Sequence, residues 1–174
     1  MKKLKLIAAV FIAATALYSC KPTPEEARKY NDDLIAIEKS LSAKETALVE
    51  AIADKKSAEE IKKAHDELIK EADKAVADVE KTEVFDSSVA FLDAAKEYFK
   101  TVKELANNEY KGMVELLSKK SEEITEADHT KYEELVKSLG EKSDKVLEKI
   151  QTEQMIFATK YGFKVGDKKE EESK

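Results

Sequence analysis

The chain has 174 residues, with 31 basic and 37 acidic side chains, one cysteine, four glycines, two prolines and no tryptophan. Charged residues make up 39% of it, and Ala, Glu, Lys and Leu dominate, a composition that belongs to long amphipathic helices. The acidic balance argues against a nucleic-acid partner, which requires a basic face, and a lone cysteine cannot close an internal disulfide.

The first five residues carry Lys2, Lys3 and Lys5, and an apolar run from Leu6 to Leu17 follows, interrupted only by Thr15. A cationic start before a short apolar stretch is the pattern of a secretory signal. The run has 12 residues, against the roughly 20 that a membrane-spanning helix needs. Leu17-Tyr18-Ser19-Cys20 comes next and resembles the lipobox of bacterial lipoproteins, in which the cysteine is lipidated and becomes the first mature residue. Leu17 and Ser19 fit that pattern, while Tyr18 is bulkier than the usual small residue. The resemblance implies that residues 1–19 are removed and that residues 20–23 are a lipidated cysteine and a short tether. An ordinary signal peptide with an incidental cysteine is the plainer alternative. Loss of the three signal lysines leaves 28 basic against 37 acidic residues over 155 positions, a mature charge of −9. Electrostatic attraction to anionic lipid is therefore not expected, and covalent chains on Cys20 would do the anchoring, since two or more acyl chains hold stably where one does not. Lys21 is not the Asp linked to inner-membrane retention in enteric bacteria, so by that analogy the outer membrane is expected, with either leaflet open.

After the tether the chain reads as four helices, near residues 24–53, 58–81, 87–119 and 126–161. Thr23-Pro24-Glu25-Glu26 is a capping box with proline at the first helical position. Ser57-Ala58-Glu59-Glu60 is a second box, and Thr125-Glu126-Ala127-Asp128 a third with Asp in place of Glu. A further start is expected at Asp86-Ser87-Ser88. Apolar residues recur at steps of three and four: Ala27, Tyr30, Leu34, Ile37, Leu41 and Leu48 in the first segment, and Ile61, His65, Leu68, Ala72, Ala75 and Val79 in the second. The third segment shows Leu92, Ala95, Phe99, Val102, Ala106, Met113 and Leu117, and the fourth Val136, Leu139, Val146, Ile150, Phe157 and Tyr161. One stripe per helix has to be buried, and short polar joints favour antiparallel neighbours. The expectation is an all-α protein, an antiparallel up-down four-helix bundle over residues 24–163 with long, coiled-coil-like helices. The joint between helices two and three has neither Gly nor Pro, which leaves one continuous helix there as the rival. Gly162 suits a C-terminal cap, and residues 164–174, rich in charge and nearly free of apolar side chains, read as a disordered tail.

Few residues suggest chemistry. Glu126 and His129 have the Glu-x-x-His spacing of di-iron bundles, but such a site needs two pairs and two further glutamates, so they read as a solvated helix start. His65 lies on an apolar stripe. It is either a core imidazole with satisfied nitrogens or the candidate ligand-binding residue, a haem ligand that would need a second axial partner such as Met113 or Met155. No Gly-x-Ser-x-Gly elbow and no Gly-rich phosphate loop occurs. The carboxylates interleave with lysines at helical spacing, as on a solvated face. Ser143 and Gln154 occupy stripe positions, Gly140 sits within the last helix, and Asn107-Asn108 with Gly112 weakens the third. Those breaks mean either a looser, hydrated segment or a polar region that receives a ligand. No catalytic residue, metal or cofactor is expected.

The lipobox-like end, Tyr30-Asn31-Asp32 early in helix one, and four charged amphipathic helices together resemble a family of small helical surface lipoproteins of Bacteroidetes and spirochaetes, named after a leptospiral surface protein. The resemblance spans roughly residues 20–160 and implies surface exposure, with no site residues to carry over. The functional expectation is a non-enzymatic, lipid-anchored envelope module that binds an envelope or extracellular protein or acts as a spacer. A periplasmic bundle binding haem or a small ligand is the alternative.

Overall fold

Thr23 starts the first helix through both halves of its capping box: the Glu26 N–H donates to Thr23 Oγ1 (3.2 Å), and the Thr23 N–H donates to Glu26 Oε2 (2.8 Å). Ser57 with Glu60 and Thr125 with Asp128 repeat the arrangement. The structure is a computed structural model and describes residues 22–166. Its helices are α1 (Pro24–Ala53), α2 (Ala58–Glu80), α3 (Val89–Leu105), α4 (Lys111–Leu117) and α5 (Glu126–Tyr161). A π-helical segment (Ala106–Tyr110) joins α3 to α4 without a break, so that four rods result. At about 1.5 Å per residue, α5 is roughly 54 Å long.

The end of α5 follows from Gly162, whose φ of 72° is a left-handed conformation open to glycine at little cost. The turn sends the Phe163 N–H back to the Ala158 carbonyl (3.1 Å) and folds the Phe163 ring onto Phe157.

The third rod departs from the expected span of 87–119. Ser88 occupies the cap position, but its side chain makes no capping bond and lies 3.0 Å from the Tyr161 hydroxyl instead. The hydroxyl is thus spent on a tertiary contact. The joint between the second and third rods is a real break, not a continuous helix. α2 stops at Glu80, Asp86 takes a positive φ of 50°, and Phe85 turns inward against Tyr30 and Phe157. Packing of an aromatic ring against the core accompanies the break where no Gly or Pro occurs.

The protein is an all-α helical bundle, with no strand among the described residues. Along α3–α4 and α5, successive contacts ascend on one rod and descend on the other: Ser88 with Tyr161, Glu97 with Lys149, Glu109 with Lys142. Between α2 and α3 the order is the same, with Glu80 on Lys96 (3.2 Å), Asp73 on Lys103 (2.7 Å) and His65 on Ala106 (2.7 Å). All six stripe positions of α2 are buried. α3 packs on both α2 and α5, so its buried surface is wider than one stripe and adds Phe91, Ala94, Tyr98 and Leu105. Two expected core positions are exposed. Val136 lies on the seam between α1 and α5, the sparsest contact between adjacent rods, and Leu117 is the last residue of α4.

One end of the bundle is aromatic. Phe157 is fully buried, with ring centroids at 4.9 Å from Phe91, 4.8 Å from Tyr161, 5.6 Å from Phe85 and 5.7 Å from Tyr30. Each such pair contributes about 0.5–1.5 kcal/mol beyond area burial. Phe157→Ala therefore lowers stability by about 3–5 kcal/mol in urea denaturation. In the opposite direction, a Cβ at Gly140 meets nothing within 4 Å, so Gly140→Ala raises stability by about 1 kcal/mol in the same assay. Gly112→Ala gains less, because its Cβ would come 2.9 Å from Leu135 Cδ1 and push that side chain aside.

Candidate functional site

The sequence-selected residues fall into three groups. Leu17, Tyr18, Ser19 and Cys20 lie outside the described residues. Glu126 and His129 are exposed in the first turn of α5, and no group of three or more His, Cys, Asp or Glu with the spacing of a metal site occurs among the described residues. His65 is only 5% exposed, and its Nε2 lies 2.7 Å from the Ala106 carbonyl oxygen. A carbonyl only accepts, so Nε2 carries the proton and donates. That nitrogen is committed to the first residue of the π segment, where the helical ladder widens. Met113 is buried, whereas Met155 is 67% exposed on α5. The structure does not bring Met155 to His65, and the imidazole serves the packing of α2 on the π segment.

The π segment also holds a residue the stripes did not mark. Glu109 is buried, and its Oε1 accepts from Ser138 Oγ (2.8 Å) and Lys142 Nζ (2.5 Å) of α5. Its Oε2 is buried without a hydrogen-bond partner among the described residues. Burial pushes the Glu109 carboxyl up, but Lys142 and Ser138 outweigh it and hold the group below its ordinary value. Next to it, the Tyr110 hydroxyl donates to Glu45 Oε1 of α1 (2.7 Å). The segment thus ties to α1, α2 and α5 through one polar bond or more each. The Asn107-Asn108 break marked its place along the chain, and nothing in the spacing marked its tertiary partners.

The principal cleft lies between α1, α3 and α5 and has a volume of about 290 Å³. Leu34, Ile35, Phe91, Phe99 and Ile150 supply apolar wall. Four polar side chains border it: Glu38, Tyr98, Gln151 and Gln154. Val165, which the sequence assigns to the tail, also lines it, while residues 167–174 lie outside the described residues. Gln154 Nε2 donates to Asn31 Oδ1 (2.7 Å), and Asn31, only 2% exposed, in turn donates from Nδ2 to Asp32 Oδ1 (3.2 Å). The polar stripe position Gln154 is therefore explained by its bond to the buried Asn31, a part-buried amide pair that joins α5 to α1. Burial and then Glu45 push the Glu38 carboxyl above its ordinary value. Burial, then Glu38 and Glu45, push the Tyr98 hydroxyl up as well. A larger depression of about 630 Å³ around Met155 and Ile156 is a surface hollow walled by α5 alone.

Among the described residues no helix is long and apolar enough to cross a membrane. No protein-family model, curated protein or solved structure matches the chain.

The depressed Glu109 carboxyl has a stability consequence. A carboxylate held below its unfolded value stabilises the fold above that value, and the contribution is lost as pH falls through the folded one. At neutral pH the wild type should be more stable than Glu109→Gln. Chemical denaturation at a series of pH values should show the gap closing below the ordinary glutamate pKa of about 4.3.

Proposed function

We propose that the chain is a lipid-anchored, non-enzymatic binding module of the bacterial cell envelope, held at the outer membrane through acyl chains on Cys20. The observation that carries this reading is the apolar run from Leu6 to Leu17 ending in Leu17-Tyr18-Ser19-Cys20 after three lysines. The capped start of α1 at Pro24 stands four residues beyond Cys20, so an anchored protein would carry its aromatic end next to the membrane. The distal loops would then stand roughly 50 Å away, at the rise of an α-helix. The resemblance to small helical surface lipoproteins leans the same way.

Binding is favoured over a bare spacer by the cleft between α1, α3 and α5, since a spacer has no use for a pocket with convergent polar groups. The same cleft supports the small-ligand reading without haem, because His65 Nε2 is engaged with Ala106. A mature charge near −9 gives no support to a nucleic-acid partner.

Cell fractionation with protease shaving tests the anchor. The wild type should sediment with membranes, and Cys20→Ala should lose that attachment. The purified variant should keep the thermal unfolding of the wild type, because the substitution precedes the capped start of α1. Shaving of intact cells then separates an outward-facing protein from a periplasmic one. Equal membrane association of both forms would show the anchor assignment to be wrong.

A further inference from the structure

Glu38 is the half-buried carboxylate of the cleft, and none of the ion pairs among the described residues includes it. On α1 the positions three and four residues away are Leu34, Ile35, Leu41 and Ser42, none of them cationic. Three lysines of α1 and α5 are engaged elsewhere: Lys44 with Glu67 (2.8 Å), Lys142 with Glu109 (2.5 Å), and Lys149 with Glu97. No ion pair reaches Glu38 among the described residues. Tyr98 provides a second, independent observation. It is only 6% exposed and borders the same cleft, yet its hydroxyl makes no hydrogen bond among the described residues. The ring is buried while the hydroxyl is open to the cleft, where water or a bound group completes it.

We propose that the cleft between α1, α3 and α5 binds a small amphiphilic cation, with an ammonium head set between Glu38 and Tyr98 and an apolar body among Leu34, Ile35, Phe91 and Phe99. This deepens the binding role proposed above, but the site stands or falls separately from the lipid anchor. An ammonium supplies what both groups lack: positive charge for the carboxylate, and donors for it and for the hydroxyl oxygen. Aromatic rings in the wall add to the attraction for a cation. Glu45, seven residues along α1 and one of the groups acting on the Tyr98 hydroxyl, adds a further negative charge and disfavours anions. At about 30 Å³ for each water-sized atom, 290 Å³ holds roughly ten non-hydrogen atoms. The depression at the other end of the α1/α5 seam, bordered by Val49, Tyr132 and Val136, has no charged lining residue and lacks this recognition set.

Three probes of one length separate the contributions: n-octylammonium, n-octanol and n-octanoate, each titrated into the purified full chain by calorimetry and by amide chemical-shift mapping. Octylammonium should bind saturably, with shifts centred on Ile35, Tyr98 and Gln154, and octanoate should bind at least about tenfold more weakly. Glu38→Gln should weaken octylammonium about tenfold or more and leave octanol unchanged. Tyr98→Phe, which keeps the packed ring, should weaken it several-fold. The unfolding temperature of each variant confirms that the fold is intact. Equal binding of the cation and the anion, an unchanged octylammonium affinity in Glu38→Gln, shifts centred on Met155 and Ile156 instead, or no saturable binding would each overturn the proposal. Failure here with Cys20-dependent membrane attachment intact would refute the ligand class alone. Loss of the anchor with selective cation binding retained would refute only the anchoring.

Discussion

Every helix of this protein carries one apolar stripe, none can bury its stripe alone, and α3 has to serve its neighbours at once. It packs on α2 and α5, and through Phe91 and Tyr98 it also reaches towards α1. This central load widens its buried surface from a stripe to most of a face. The remaining geometry follows from it. With α3 taking so much of the packing, α1 and α5 make the sparsest contact of the adjacent rods, and their seam stays partly open. The cleft and the exposed apolar side chains Ile35, Val49, Val136 and Leu147 all lie along that seam.

Buried polar contacts fix how the rods sit against one another. Apolar stripes at heptad-like spacing tolerate sliding by a turn, because one leucine replaces another with little loss. Asn31 with Gln154, His65 with the Ala106 carbonyl, and Glu109 with Ser138 and Lys142 do not tolerate it. Slipping any of these pairs by a turn would leave a buried polar group unpaired, at about 1–3 kcal/mol for a neutral one. Three such pairs on three different helix–helix contacts therefore hold the register that the stripes leave loose. The same logic explains why an otherwise regular rod carries a π segment. The irregular backbone places Glu109 against α5 and Tyr110 against α1 while Ala106 meets His65.

The functional reading divides the molecule lengthwise. One end is a packed aromatic cluster around Phe157, and its Phe91 also lines the cleft. The open feature is the α1/α5 seam along the side, where Glu38 and Tyr98 border the cleft with no ion pair or hydrogen bond among the described residues. Under the proposed anchoring, the cleft would open along the flank of the bundle, parallel to its long axis.

The helical elements were readable from local chemistry alone. Capping boxes at Thr23, Ser57 and Thr125 and the left-handed Gly162 act within four or five residues of themselves, so their effect needs no tertiary context. The stripe of α2 was readable in full because one amphipathic face against one core is a local pattern. What only the tertiary structure decided were the features that depend on a partner distant in the chain. The break at Phe85 accompanies a ring packed into the aromatic end, with no breaker residue. Burial of Asn31 and Glu109 is tolerable only because Gln154 and Lys142 stand opposite, 123 and 33 residues away. Likewise, nothing along the chain shows that Glu38, one acid among many, borders the cleft with no ion pair among the described residues. Helix formation is a short-range property of the backbone, whereas compensation of a buried charge depends on every helix packed around it.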